Sequence, residues 1–174
     1  MKARVISVVN QKGGVGKTTT AVNLATIFAV MDKKVLIIDI DSQGNTSSGL
    51  GIKQAERKVT SYNVFSGLNS IHDAILATEV PNLSIVSANT NLAAIELDLI
   101  HLKNYENILL EKLEEIKNDF DYIIIDCPPS LGLITLNALV ACDEVLIPML
   151  CDFYSLEGLS HLLKTVEIIE KKMN

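Results

Sequence analysis

Short apolar runs alternate with longer amphipathic stretches along this chain. Val, Ile and Leu dominate residues 4–9, 34–39, 83–87, 122–126 and 144–149. These runs are continuous rather than alternating, as expected of strands in a parallel sheet with both faces covered. Helical spacing covers 17–30, 71–78, 91–117, 131–141 and 156–172. Pro128-Pro129 blocks a helix directly after the fourth run and makes a rigid turn there. The alternation predicts one α/β domain over 1–174, a wound, mostly parallel sheet flanked by helices and built by right-handed crossovers. Residues 42–70, rich in Ser, Gly, Asn and Gln, read as a functional loop with a short helix around 61–65.

Composition narrows the class. At 174 residues, 48% of them hydrophobic, and a mean hydropathy of +0.31, the chain is neither disordered nor low-complexity. The longest uncharged runs, 18–31 and 127–142, carry polar residues or proline and fall short of the ~20 apolar residues of a membrane span. The first strand begins almost at Met1, so no signal peptide is expected. Cys127, Cys142 and Cys151 have no paired spacing, which points to a reducing cytoplasm. A net charge of −6 argues against nucleic-acid binding by the surface as a whole. Lys53, Arg57 and Lys58 are sparse and read as solvated surface.

The sharpest signal is Asn10-Gln11-Lys12-Gly13-Gly14-Val15-Gly16-Lys17-Thr18-Thr19, between the first strand and the first helix. That is the context of a phosphate loop. Glycines let backbone N–H groups curl inward, and the helix N-terminus adds positive charge. In this role Lys17 reaches the β- and γ-phosphates and the Thr18 hydroxyl holds Mg²⁺. A turn that only caps a helix would not explain Lys-Thr directly after the last glycine. The usual pattern has glycine at the position of Gln11, and Lys12 adds a second lysine.

Lys12-Gly13-Gly14-Val15-Gly16-Lys17-Thr18 resembles the deviant Walker A loop of partition ATPases, division-site ATPases and the nitrogenase iron protein. The resemblance implies a P-loop NTPase that uses ATP and Mg²⁺ as an ATP-dependent homodimer with nucleotides sandwiched at the interface. It implies that Gly13, Gly14, Val15, Gly16, Lys17, Thr18 and Thr19 bind nucleotide. Lys12 would bind too, reaching the partner's phosphates as a charge supplied in trans.

Two carboxylate sites accompany the loop. Asp39 and Asp41 follow the second strand, on one side of its carboxyl end where wound sheets bind ligands. Alone, either could be a turn former. Partition ATPases have a similar Asp-x-Asp-Pro-Gln-Gly-Asn segment, so the resemblance implies that Asp41 orients the attacking water and Asp39 supports the metal. Ser42 stands where the family usually has proline. Asp126, after Tyr122-Ile123-Ile124-Ile125, has the Walker B arrangement for Mg²⁺. Cys127-Pro128-Pro129-Ser130 would then sense nucleotide. Cys127 as a metal or cluster ligand is the minor reading, since no partner cysteine is suitably placed and the partition ATPases it resembles often have cysteine there; Cys142 and Cys151 read as small buried hydrophobes. His72, His101 and His161 form no ligand cluster in the sequence.

Gln43-Gly44-Asn45, Asp126-Cys127-Pro128-Pro129-Ser130-Leu131-Gly132 and Phe153-Tyr154-Ser155-Leu156-Glu157-Gly158-Leu159 are similar to ParA/Soj-type chromosome or plasmid partition ATPases. Division-site ATPases of the MinD type lack Gln-Gly-Asn after the second strand. The resemblance implies slow ATP hydrolysis in partitioning, a ParB-like activating protein, nonspecific DNA binding and a cytoplasmic or nucleoid-associated location. It also implies about 250 residues, so the chain reads as truncated at its C-terminus, without the family's last strands or its usual DNA-binding residues. On that basis the 144–149 strand is expected at a bare sheet edge. The alternatives are a remnant that dimerises or binds a partner without hydrolysis, and a MinD-like membrane-associated ATPase. For the latter, the 156–172 helix, with Leu156, Leu159, Leu163 and Val166, would lie on a membrane surface rather than pack on the sheet.

Overall fold

In a computed structural model that describes residues 2–151 and 153–173, six strands form one sheet. In chain order the elements are β1 (Arg4–Val8), α1 (Lys17–Val30), β2 (Val35–Asp39), α2 (Asn45–Gly49), α3 (Ser61–Phe65), α4 (Ile71–Ala74), β3 (Ile75–Ala77), β4 (Leu83–Val86), α5 (Ile95–Leu99), α6 (Ile108–Ile116), β5 (Tyr122–Asp126), α7 (Leu133–Ala141), β6 (Glu144–Leu146) and α8 (Phe153–Met173). The strand order is β3-β4-β2-β5-β1-β6, parallel except where β3 runs against β4. β5 therefore lies between β1 and β2, and the carboxyl ends of all three meet.

Both faces of the sheet are covered, which is why Val, Ile and Leu dominate its central strands on both faces. Along β2, Leu36 and Ile38 join the core beneath α3–α7, whereas Val35 and Ile37 face the α1 side. α1 buries Ala21, Ala25 and Ala29 on one stripe. Small residues at i, i+4 and i+8 bring its axis close to the sheet and aim its first turn at the strand ends. The opposite core is bulkier, with Phe65, Leu92, Ile95, Leu99, Leu109 and Leu113 buried in it.

Several boundaries differ from the sequence reading. The helix expected over 71–78 stops at Ala74, and 75–77 becomes the antiparallel edge strand β3. Ile75 and Leu76 are β-formers that pair with Val86 and Ile85, and a tertiary partner outweighs a weak helical propensity. The single helix expected over 91–117 is two helices with 3₁₀ turns, broken by Asn104 at φ +57°. Strand pairing in 144–149 ends at Leu146. β6 is an edge strand paired only with β1 among the described residues, as expected.

The side chains at 153–157 lie outside the described residues, and with them Leu156 and most of the Phe153–Leu159 motif. The inward face of α8 is Leu162, Val166 and Ile169, packed against the main core. Leu163, assigned to that face from its spacing, is 51% exposed. Among the described residues no helix is long and apolar enough to cross a membrane.

Candidate nucleotide-binding site

The loop from Val9 to Gly16 links the end of β1 to α1. Gly14 and Gly16 have φ of +73° and +87°, where a Cβ would be strained. Gln11 keeps a negative φ, so the glycine of the usual pattern is not required at that position. The Asn10 amide donates to the Pro148 carbonyl at 2.7 Å, and its oxygen accepts the Lys12 N–H at 2.9 Å. Asn10 thereby pins the loop to the segment after β6. At the other end, α1 starts without a side-chain cap or an acidic residue in its first turn. Its leading N–H groups and positive dipole end are left for an anion.

Lys17 is 7% exposed, and its ammonium donates to the Lys12 carbonyl at 3.1 Å. Burial lowers its pKa, while Asp126 and Asp41 oppose that shift. The loop thus curls its lysine back over its own backbone.

Strand register sets the carboxylates. Val8, Asp126 and Asp39 occupy one level on β1, β5 and β2. Asp126 Oδ2 accepts the Thr18 hydroxyl at 2.8 Å and the Thr46 hydroxyl at 2.6 Å. Its Oδ1 is buried without a hydrogen-bond partner. Burial raises the Asp126 pKa against these two hydroxyl donors. An orphaned carboxylate oxygen beside a threonine hydroxyl is a donor set that fits a hard divalent cation such as Mg²⁺.

Asp39 is placed differently. It is fully buried, and Oδ2 accepts both the Ser47 N–H at 2.9 Å and the Ser47 hydroxyl at 2.6 Å. Oδ1 accepts the Asp41 N–H at 3.2 Å. Burial pushes its pKa up to about 7, against the Ser47 bonds that favour the ion and with help from the Asp126 charge. In this arrangement Asp39 braces the loop after β2. Asp41, two residues on, is half-buried; its carboxylate accepts the Gln43 N–H at 3.0 Å.

A crevice of about 410 Å³ joins these parts, lined by Gly13, Gly14, Gly16, Lys17, Thr18, Thr19, Asp41, Gln43, Asn45 and Pro129. Val15 is buried behind the loop, and Asp39 and Asp126 lie beneath the crevice. Lys12 contributes its carbonyl to Lys17 and its N–H to Asn10.

Sequence reasoning missed Asn10, Thr46 and Ser47 as site-building residues. The signal for Thr46 and Ser47 was the small polar run that follows Gln43-Gly44-Asn45, and Asn10 opens the glycine-rich stretch itself. It also misread Arg57, whose guanidinium donates to the Ile52 carbonyl at 2.9 Å, the Ala88 carbonyl at 3.2 Å and the Ser48 hydroxyl at 2.9 Å. Arg57 ties the loop after β2 to the end of β4. Cys127 is buried, and burial pushes its thiol well up. Cys142 is only half-buried and Cys151 is exposed, contrary to their reading as buried hydrophobes.

The AAA domain family model matches residues 3–174. The chain is similar to the sporulation initiation inhibitor protein Soj of Bacillus subtilis, at 49% identity over 171 residues, which is 98% of this chain and 68% of that protein. It is 47% identical over 171 residues to the chromosome partitioning protein ParA of Myxococcus xanthus, covering 98% of this chain and 60% of that protein. The chain thus spans roughly two thirds of the length of these relatives or less. Among solved structures, cobyrinic acid a,c-diamide synthase from Mycobacterium smegmatis with a bound ATP analogue and magnesium superposes with a TM-score of 0.94. That match has 34% identity and covers 99% of this chain and 70% of the other.

Proposed function

Since the chain belongs to the AAA domain family, together with the Soj and ParA partition proteins, we propose that it binds ATP with Mg²⁺, dimerises around the nucleotide and hydrolyses it slowly in chromosome or plasmid partitioning. The observation that carries this reading is the pairing of Thr18 with Asp126 at 2.8 Å beneath the uncapped start of α1, with Asp126 Oδ1 left orphaned.

In this reading the N–H groups of 13–19 and the Lys17 ammonium take the phosphates. Lys17 is buried, so its charge acts through a low dielectric and is worth more there than in water. Thr18 and Asp126 would hold Mg²⁺, which neutralises charge on the β- and γ-phosphate oxygens. Asp39 stays one step removed, bracing the turn that carries Asp41. Asp41 lines the crevice and would orient the attacking water. Lys12, which precedes Gly13 of the crevice lining, would supply its charge to the partner's phosphates. A partner protein that stimulates hydrolysis, and DNA as the surface on which the dimer acts, complete the proposal.

The test is oligomeric state by light scattering after size exclusion, with ATP–Mg²⁺, ADP–Mg²⁺ or no nucleotide. A dimer formed only with ATP–Mg²⁺ is expected. The same mass in all three conditions would refute the nucleotide-switched dimer.

A further inference from the structure

The geometry points to Thr46 as a positioning residue for the proposed magnesium-binding carboxylate: its hydroxyl fixes the orientation of the Asp126 carboxylate, so that one oxygen is left for the cation. This rests on the ATP–Mg²⁺ reading and goes beyond it. Thr46 is fully buried and belongs to α2, 80 residues before Asp126 in the chain. Its hydroxyl donates to Asp126 Oδ2 at 2.6 Å, the atom that also accepts the Thr18 hydroxyl at 2.8 Å. Two donors therefore converge on one oxygen, while Oδ1 is buried with none. The terminal torsion of an aspartate is broad and roughly two-fold, so a carboxylate held by one donor can swing. Held by two from different elements, it cannot turn without breaking both.

Thr46 is itself anchored. The next residue, Ser47, bonds Asp39 through its N–H and its hydroxyl, and its hydroxyl oxygen accepts the Ala88 N–H at 3.0 Å. α2 is thus fixed to β2 and to the end of β4, and Thr46 acts on Asp126 from a rigid mount. Thr18 by itself is a single donor, which leaves the carboxylate free to swing. A valine would fill the same buried space, so packing alone does not call for a hydroxyl. Outer-sphere partners of this kind commonly change metal affinity by 10–100-fold.

The test measures ATP binding to the full 174-residue chain by calorimetry, in EDTA and across a Mg²⁺ titration, for the parent, Thr46→Val and Thr46→Ser. Thr46→Val should bind ATP in EDTA within about twofold of the parent, while the Mg²⁺ midpoint for tightened binding rises about 10–100-fold. Thr46→Ser, which keeps the hydroxyl, should stay near the parent. Thr46→Ala removes the same hydroxyl without bulk and carries the test should the valine variant not fold. A Mg²⁺ midpoint within twofold of the parent in the valine or alanine variant overturns the role of Thr46, as does an equal shift in the serine variant. A parent that binds ATP identically in EDTA and Mg²⁺ overturns the ATP–Mg²⁺ reading itself, and this inference with it.

Discussion

One added methyl at Gly44 should unlock the loop that carries Asp41 and Thr46. Gly44 has φ +62°, a conformation that costs an L-residue about 1–2 kcal/mol. The Cβ of an alanine there would lie 2.5 Å from Arg57 Nη1 and 3.2 Å from the Ala88 carbonyl oxygen. The carbonyl belongs to the backbone at the end of β4 and yields little. The guanidinium must therefore move, giving up its 3.2 Å bond to Ala88 and straining those to Ser48 and Ile52. Because Arg57 is only half-buried, that loss is about 1 kcal/mol rather than the full value of a buried charged bond. Reduced freedom in the unfolded chain returns roughly 0.5 kcal/mol. Gly44→Ala should thus lower the unfolding free energy by about 2 kcal/mol, read from urea denaturation. Arg57→Ala alone should cost about 1–2 kcal/mol, and in its background the methyl should cost only the backbone strain. The double variant should therefore be less destabilised than the sum by about 1 kcal/mol. Additivity within about 0.3 kcal/mol would show that Gly44 and Arg57 do not share this contact, and the argument would fall.

Other consequences concern the crevice and its charges. Lys17→Ala removes the buried ammonium and should weaken ATP binding by at least tenfold, a charged hydrogen bond being worth about 1.5–3 kcal/mol; unchanged affinity in calorimetry would sink the phosphate-loop assignment. Asp41→Ala should slow ATP turnover by about a hundredfold or more while leaving ATP-dependent dimerisation intact; wild-type turnover would remove its role with the attacking water. Asp39 has a pH signature. With its folded pKa raised to about 7, the folded protein keeps a proton that the unfolded chain loses near pH 4. Its contribution to stability is therefore highest below about pH 4, declines as pH rises through the 4–7 window, and levels off above about 7. The decline totals at most about 4 kcal/mol. Asp39→Asn cannot ionise, so urea midpoints measured between pH 4 and 8 without metal or nucleotide should fall with pH more steeply for the parent. Parallel slopes would contradict the buried protonated carboxyl.

The sequence by itself determined what depends on neighbours along the chain. Uniformly apolar runs of Val, Ile and Leu require two covered sheet faces. Gly14, Gly16, Lys17 and Thr18 are set by local backbone conformation and the start of one helix, the context a phosphate loop requires. The deviant loop, with Lys12 and Gln11, was enough for the family to be legible. What only the tertiary structure decided depends on contacts between distant segments. Propensity made 71–78 a helix, but pairing with β4 turned 75–77 into a strand. Spacing put Leu163 on the inner face of α8 with Val166, but the turn of the helix buried Leu162 beside the partly buried Val166 and Ile169 and left Leu163 exposed. Asp39 and Asp126, 87 positions apart, became neighbours only through the β2–β5 register, and burial at that level turned Asp39 into a brace beneath the crevice. Thr46 looked like an ordinary loop residue and Arg57 like solvated surface because their distant partners cannot be read from nearby residues. Those partners, Asp126 on β5 and the Ala88 carbonyl at the end of β4, are remote in the chain, and a hydrogen bond between remote segments leaves no period or spacing in a single sequence.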